Sequence, residues 1–286
     1  MKREFKFNNI SSCHYINPGK SMNDLELTKI HKDLVSVNNS AAKKVDNLFL
    51  NEELTLEQKR EHLSKCILTL LYQNQRVFGF LISPIISSKK GVILHAGLIM
   101  MNKNPGADFM AFTGLNNFSM AYEEYGNVYV TNISSTPSII EVFSNQISKV
   151  WPSPKMNTKV SPPHYRDILH ILKMEYMDKY FPSDADIEID DRRFTMTSNS
   201  KEMGFSTNFY KLSRATNYLY QSFCQVWINY DDSEDIIQVG RITLRTYLYQ
   251  KILLRILSYK LNKASKKLSV ESEERREREL KTKKAA

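Results

Sequence analysis

Residues 67–143 hold the stretch on which the fold is read. It opens with ILTLLYQ (67–73), the pair Asn74-Gln75 and RVFGFLISPI (76–85). It continues with VILHAGLIMM (92–101), NKNPGAD (102–108) and FMAFTGLNNFSMAYEEYG (109–126), then NVYVTN (127–132) and the run to Phe143. Two runs of β-branched, aliphatic and aromatic residues joined by a short polar pair predict a tight antiparallel hairpin. A third apolar strand, a glycine-containing loop, a helix and a strand ending in Asn132 follow.

Outward from that core, EFKFNNI (4–10) reads as a first strand, followed by a polar stretch in which Asn17-Pro18-Gly19 makes a turn. Ser21 is the expected N-cap of a helix carrying Leu25, Leu27, Ile30 and Leu34. Thr55 and Gln58 form a capping-box pattern that opens a second helix. On the far side, Pro137 suits the first turn of a helix capped by Ser135 or Thr136. A Pro- and Ser-rich stretch, residues 151–163, is the candidate linker, with 155–159 expected at the surface. Beyond it, residues 164–180 predict a helix with Ile168, Ile171, Leu172 and Tyr176 on one face. Residues 182–193, acidic and then basic, read as a surface loop or short strand. Residues 214–230 are apolar and aromatic throughout, and periodicity leaves helix and strand both open. Residues 242–261 read as an amphipathic helix with Leu244, Tyr247, Leu248, Ile252, Leu253, Ile256 and Leu257 on one side, and the charged remainder reads as a solvated helix end or a disordered one.

Composition narrows the classes. The 286 residues are 42% hydrophobic, enough for a core in one large domain or two ordinary ones. No run approaches the ~18 apolar residues of a membrane span. The start MKREFKFNNI has no apolar segment of the secretory kind. Cys13, Cys66 and Cys224 lack C-x-x-C spacing, which suits a reducing compartment, and the expected localisation is cytoplasmic. Of the net +9, residues 260–286 supply +5, with ten Lys or Arg against five Glu, so the basicity is mostly that of a C-terminal tail. No P-loop, G-x-S-x-G or G-x-G-x-x-G occurs, and the six histidines show no metal-ligand spacing, so no metal is expected.

The order of elements over 67–143, together with the strand–helix–helix opening, resembles the GNAT-type N-acyltransferase superfamily. The resemblance covers about the first half of the chain and rests on the order and length of elements. It implies an α/β (α+β) fold: a mixed, mostly antiparallel sheet flanked by helices, here with a mainly helical C-terminal half. The expected division is an acyltransferase domain over 1–155, a mainly helical region over 156–262 and a charged, flexible tail over 263–286. In that family the loop after the fourth strand holds a pyrophosphate at a helix start, where unpaired N–H groups and the helix dipole favour an anion. The matching loop here is Lys103-Asn104-Pro105-Gly106, with Asp108 where the family has a small residue. The fourth strand of the family pairs with the pantetheine arm of the thioester, which implies that role for Leu98, Ile99, Met100 and Met101. Asn132 matches an asparagine that orients the cofactor in the family, although an asparagine there also caps the next helix. The family's acid for the leaving thiolate is a tyrosine on that helix. Here the helix has Phe143, leaving Tyr125 and Tyr129 nearby, no side-chain acid, or no catalysis as the alternatives.

The resemblance implies transfer of an acyl group from acyl-CoA, or from an acyl carrier protein, to an amine. His95, inside an apolar strand, is the candidate base, because an imidazole can take an amine proton directly or through water. The competing reading is a histidine satisfied within the sheet. Glu123-Glu124 and Asp190-Asp191 read as solvated carboxylates, and Tyr218, Tyr220, Phe223, Trp227 and Tyr230 as core or as the lining of an acyl pocket. The alternative function is a non-catalytic protein of the same fold whose basic tail binds an anionic partner, nucleic acid or a membrane surface. Oligomeric state is not legible.

Overall fold

In the computed structural model the described residues are all but 42–43, 46, 157–159, 178–186, 198–208 and 286, and side-chain surroundings are described to residue 265. The Asn74-Gln75 turn joins β3 (Cys66–Gln73) to β4 (Arg76–Ser88), with Gln73 facing Arg76. Both turn residues have positive φ, 50° and 67°, which is the twist that a two-residue antiparallel connection demands.

Around this hairpin grows one sheet. On one side lie β2 (Ile10–Ile16) and β1 (Lys2–Phe7), and on the other β5 (Gly91–His95), β7 (Val128–Ser134), β11 (Glu234–Ile242), β10 (Thr195–Thr197) and β9 (Ile189–Asp190), in that order. Off this path β6 (Leu98–Met101) pairs with β4, and β8 (Ser148–Trp151) with β11. Every pairing is antiparallel except β5 with β7. The sheet is therefore mixed and mostly antiparallel, flanked by helices on both faces, and the described residues from 156 onward, though mainly helical, add three strands to it.

Eight helices are described: α1 (Pro18–Ser21), α2 (Asp24–Ser40), α3 (Leu56–Leu63), α4 (Ala107–Tyr125), α5 (Pro137–Gln146), α6 (Pro163–Leu172), α7 (Tyr218–Trp227) and α8 (Leu244–Ala285). One face is covered by α2 and α3, whose Leu27, Leu34 and Leu63 pack on Leu68, Leu70, Phe80 and Ile82. Farther along that face, α6 packs Tyr165, Ile168 and Leu172 on Ile93, Ile237 and Val239. On the opposite face α4 sets Phe109, Phe112 and Leu115 against Phe7, Leu71, Leu81 and Leu254 of α8. Its later residues Phe118 and Met120 meet Leu94, Val130 and Phe143. Alternation along the strands feeds both layers, which is why β3 and β4 read as unbroken apolar runs.

Several expectations need correction. The helix cap is Asn23, not Ser21: its side chain accepts from Glu26 N–H while Glu26 returns the bond, and Ser21 ends the single turn α1. Thr55 and Gln58 do form the reciprocal box. The "polar stretch" after β1 contains β2, whose Ser12 and His14 are buried because they bond one another and Asn117. Polar side chains satisfied across a sheet face erase the alternation from which a strand is read. Residues 214–230 resolve to a helix, α7, whose Tyr220 and Cys224 pack on Ile140 and Ile236. In the linker candidate, Trp151, Ser153 and Ser161 are buried against the core and Lys155 is exposed, while 157–159 lie outside the described residues. The helix from 164 includes a π turn at Lys173–Met177, and 178–180 and 182–186 lie outside the described residues. The charged run after 262 continues α8 as helix to Ala285.

Candidate active site at the parting of two strands

The sequence VILHAGLIMM folds as two strands, not one. β5 runs parallel to β7, with Val92 beside Val128 and His95 beside Thr131. Ala96 N–H donates the last cross-strand bond, to Thr131 C=O at 2.7 Å. Gly97 N–H then turns back on His95 C=O at 2.9 Å, and β6 proceeds along β4, with Leu98 beside Ile82 and Met101 beside Gly79. A Cβ at Gly97 would lie 2.5 Å from the Ile82 carbonyl oxygen and 2.7 Å from Pro84 Cδ, so only glycine fits the break. Past Thr131, β7 keeps β11 on its other side through Ser134. Among the described strands, β6 has β4 on one edge and none on the other. Ile99 on that strand is 47% exposed. The result is a wedge, open between β6 and the end of β7, with a free strand edge along one wall.

From the end of β6 the chain passes through residues 102–106 into α4. Asn102 is tied by its N–H to Phe78 C=O at 2.9 Å. Lys103 Nζ donates to Gln73 Oε1 at 3.0 Å, and Asn104 Oδ1 accepts from Gly106 N–H at 2.9 Å. Gly106 stands at φ 93° and caps α4 without a side-chain bond. Open space surrounds its Cα. The first N–H groups of a 19-residue helix thus face outward beside the wedge without a side-chain cap, with the Asp108 carboxylate in the same turn.

His95 is buried. Its Nδ1 lies 2.9 Å from Thr131 Oγ1, and its ring sits 4.4 Å from that of Tyr176, tilted by 48°. Burial pushes its pKa down to about 3, so the imidazole is neutral in the folded protein. Tyr129, two residues before Thr131 on the same face of β7, is covered by Arg241, whose guanidinium lies 5.3 Å from the ring, and by Tyr165 and His164. His95 and Tyr129 therefore share the α6 face of the sheet.

Asn132 points the other way, toward α5. Its Nδ2 donates to Gln238 Oε1 at 3.3 Å, and Gln238 Nε2 donates to Ser144 Oγ at 2.9 Å and Pro152 C=O at 3.2 Å. Asn132 does not cap α5, whose N-cap is Thr136 without a side-chain bond. Phe143 is buried in the core between α4 and α5. Tyr125 is not near the wedge. It sits at the far end of α4, roughly 28 Å from the helix start at ~1.5 Å per residue, and its hydroxyl accepts from Asn17 Nδ2 at 2.7 Å. Glu123 and Glu124 are both exposed, but Glu123 also accepts from Tyr247 Oη and pairs with Arg3 and Lys251. Asp190 Oδ1 accepts from the Arg192 and Arg193 N–H groups.

The wedge thus has Leu98, Ile99, Met100, Met101, Lys103 and Gly106 along one wall and mouth and His95 and Asn132 at the apex on opposite faces, while Tyr129 lies two residues back, beside Ile93 within the closed ladder. Residues the sequence reading passed over are Gly97, Thr131 and Gln238. A glycine inside an apolar run was the available signal for Gly97, whereas Gln238 announces itself by nothing local. Among the described residues no group of three or more His, Cys, Asp or Glu side chains could hold a metal ion, and no helix is long and apolar enough to cross a membrane.

No family model matches the chain, and no curated protein matches it. Among solved structures it is similar to an acetyltransferase of the GNAT family from Streptococcus pneumoniae, with 13% identity and a TM-score of 0.33, over 49% of this chain and 87% of that one. It is also similar to an acetyl transferase from Salmonella typhimurium that modifies the N-terminal serine of ribosomal protein L7/L12, with 11% identity and a TM-score of 0.27, over 45% and 74% of the two chains. Likeness this low adds nothing to the strand order and wedge geometry.

Proposed function

We propose that the chain is an N-acyltransferase that moves an acyl group from acyl-CoA, or from the pantetheine of an acyl carrier protein, to an amine. The observation that carries this reading is the free edge of β6 opening onto the wedge beside the uncapped start of α4. An extended amide-bearing arm can pair with an unpaired strand edge as an added strand, with its main-chain bonds indifferent to side chains. A phosphate at the far end of such an arm would meet the first N–H groups of α4, with Gly106 allowing close approach and Lys103 free to swing from Gln73.

In the reaction, the amine nitrogen attacks the thioester carbon, the C–S bond breaks, and the products are an amide and a thiol. A backbone N–H of Leu98, Ile99, Met100 or Met101 on the free edge polarises the carbonyl and holds the oxyanion. His95, neutral and weakly basic, suits only a late proton: it can accept from the tetrahedral adduct, so the acceptor arrives as free amine or loses its first proton to water. Tyr129 is the candidate donor to the leaving thiolate and Asn132 the candidate hydrogen-bonding partner of the donor. A second reading, a non-catalytic protein of this fold, is favoured by Asp108 in the first turn of α4 and by Gly106 N–H being occupied by Asn104.

Thiol release separates the two. The protein is incubated with acetyl-, medium- and long-chain acyl-CoA and a panel of primary amines. Cys13, Cys66 and Cys224 are all buried, so the native protein adds little background. Amine-dependent release with one chain length, reduced about 100-fold or more by Tyr129→Phe or His95→Ala, is the expected result. No release with any pair, despite a melting-temperature rise with one thioester, would favour the second reading.

A further inference from the structure

α8 carries two apolar faces, and the fold uses one. Leu254 is buried, and Leu253, Leu257 and Leu261 pack with it against Phe109 and Phe112, with Thr246 and Gln250 buried on the same side. Leu244, Leu248, Ile252, Ile256 and Tyr259 lie at i, i+4, i+8, i+12 and i+15, a stripe on the opposite side of the same turns. They are exposed by 57%, 53%, 56%, 48% and 69%, and Tyr249 beside them by 49%. A stripe this long and unbroken is not the scatter of single apolar residues that ordinary surfaces show.

On the helix itself the charges over this stretch are all of one sign. Residues 244–265 contain Arg245, Lys251, Arg255, Lys260 and Lys263 and no Asp or Glu. Along one flank runs a groove of about 830 Å³ whose lining includes Arg3, Glu4, Lys251, Arg255 and Tyr259 over a floor of Phe112 and Leu254. The carboxylate beneath it, Glu123, is occupied by Arg3, Lys251 and the Tyr247 hydroxyl, and Glu4 is paired with Lys6. The lining sets three cations, Arg3, Lys251 and Arg255, against the one carboxylate of Glu4, so the groove is net positive.

From this juxtaposition we infer that the outer face of α8 is a docking surface for an anionic lipid bilayer. A second copy of the chain is the poorer occupant, because self-pairing would press cations against cations. A negative plane answers the dispersed cations at both ends and both flanks at once. The aliphatic stripe enters the headgroup boundary, the tyrosines sit at its level, and the lysine and arginine stems lie along the apolar surface with their charges outward. The groove beside the stripe seats a headgroup phosphate. This surface is distinct from the charged run beyond 265, and it stands independently of the acyl-transfer reading.

Flotation of the full chain with vesicles tests it. Vesicles of phosphatidylcholine mixed with phosphatidylserine should carry the protein up, those of phosphatidylcholine alone should not, and added salt should weaken the binding. Leu248→Glu with Ile252→Glu and Ile256→Glu, all at exposed positions, should leave the melting temperature unchanged and lower binding about tenfold or more. Arg255→Glu should lower it about fivefold or more. Lys→Gln at 266, 267, 281, 283 and 284 should retain most of it. The inference is overturned by absence of flotation with the mixed vesicles, or by binding that survives the triple variant and disappears with the tail lysines. It is equally overturned if sedimentation shows a dimer, or capture of an acidic protein, that the triple variant dissolves while vesicles bind neither form.

Discussion

At the scale of the residue, Gly97 has the clearest consequence. Any side chain there meets the Ile82 carbonyl oxygen at 2.5 Å, so either β6 leaves β4 or the break between β5 and β6 moves. Gly97→Ala should cost about 1–3 kcal/mol, read as a lowered urea midpoint, and should weaken donor binding more than a core substitution of equal cost. The buried histidines predict a pH dependence. His95 and His14 have pKa values pushed down by burial to about 3 and about 4, against an unfolded value near 6.5. The unfolded chain therefore binds protons that the folded one refuses. Their stabilising effect is complete above about pH 6.5 and is lost as pH falls from there toward the folded values. Each should cost on the order of 1–2 kcal/mol between pH 6.5 and 5, measured by thermal melts across that range, and His95→Asn should flatten the slope. His95 was visible in the sequence as a titratable group in an apolar strand. Its bond to Thr131 was not, because the partner lies 36 residues away on a neighbouring strand.

At the scale of the element, strands and helices that bury apolar side chains were legible and those held by polar bonds were not. The β3–β4 hairpin, the α3 capping box and the helix from Pro137 all follow from local rules of turn, cap and period. β2 escaped because its inward Ser12 spends its polarity on His14, and His14 in turn on Asn117 and Thr69. β8 and β11 escaped because their pairing is set by partners far along the chain. The sequence pattern gives α8 one apolar side, and the structure gives it two: Tyr247, Leu253 and Leu257 face the core cluster side while Leu244, Leu248, Ile252 and Ile256 face out. The chain entering α7 is tied to α5 by one carboxylate, beside the apolar packing of Tyr220 and Cys224. Glu141 on α5 accepts from Thr216 N–H at 2.6 Å and Asn217 N–H at 3.1 Å at the start of that helix. Glu141→Ala leaves both donors without this partner and should cost about 1–3 kcal/mol. Amide exchange should then quicken over 216–220 before any other described helix is affected.

At the scale of the whole molecule, the wedge is a product of topology. One parallel pair in an otherwise antiparallel sheet brings β5 and β7 side by side, a glycine ends their ladder, and the next strand leaves with no described strand on its outer edge. Edge strands are normally covered, charged or kept short. This one opens beside the start of a helix, where a cofactor with an amide-bearing arm and an anionic end would be held at both points. The second half of the chain backs the wedge, through β11 on the far edge of β7 and α6 over the face that carries His95 and Tyr129. Amide hydrogen exchange of the full chain, with and without saturating acyl-CoA, tests the central claim most directly. Slowed exchange at residues 97–101 and in the first turn of α4, with little change elsewhere, is the predicted result. Bound acyl-CoA that leaves those amides exchanging as before would contradict it.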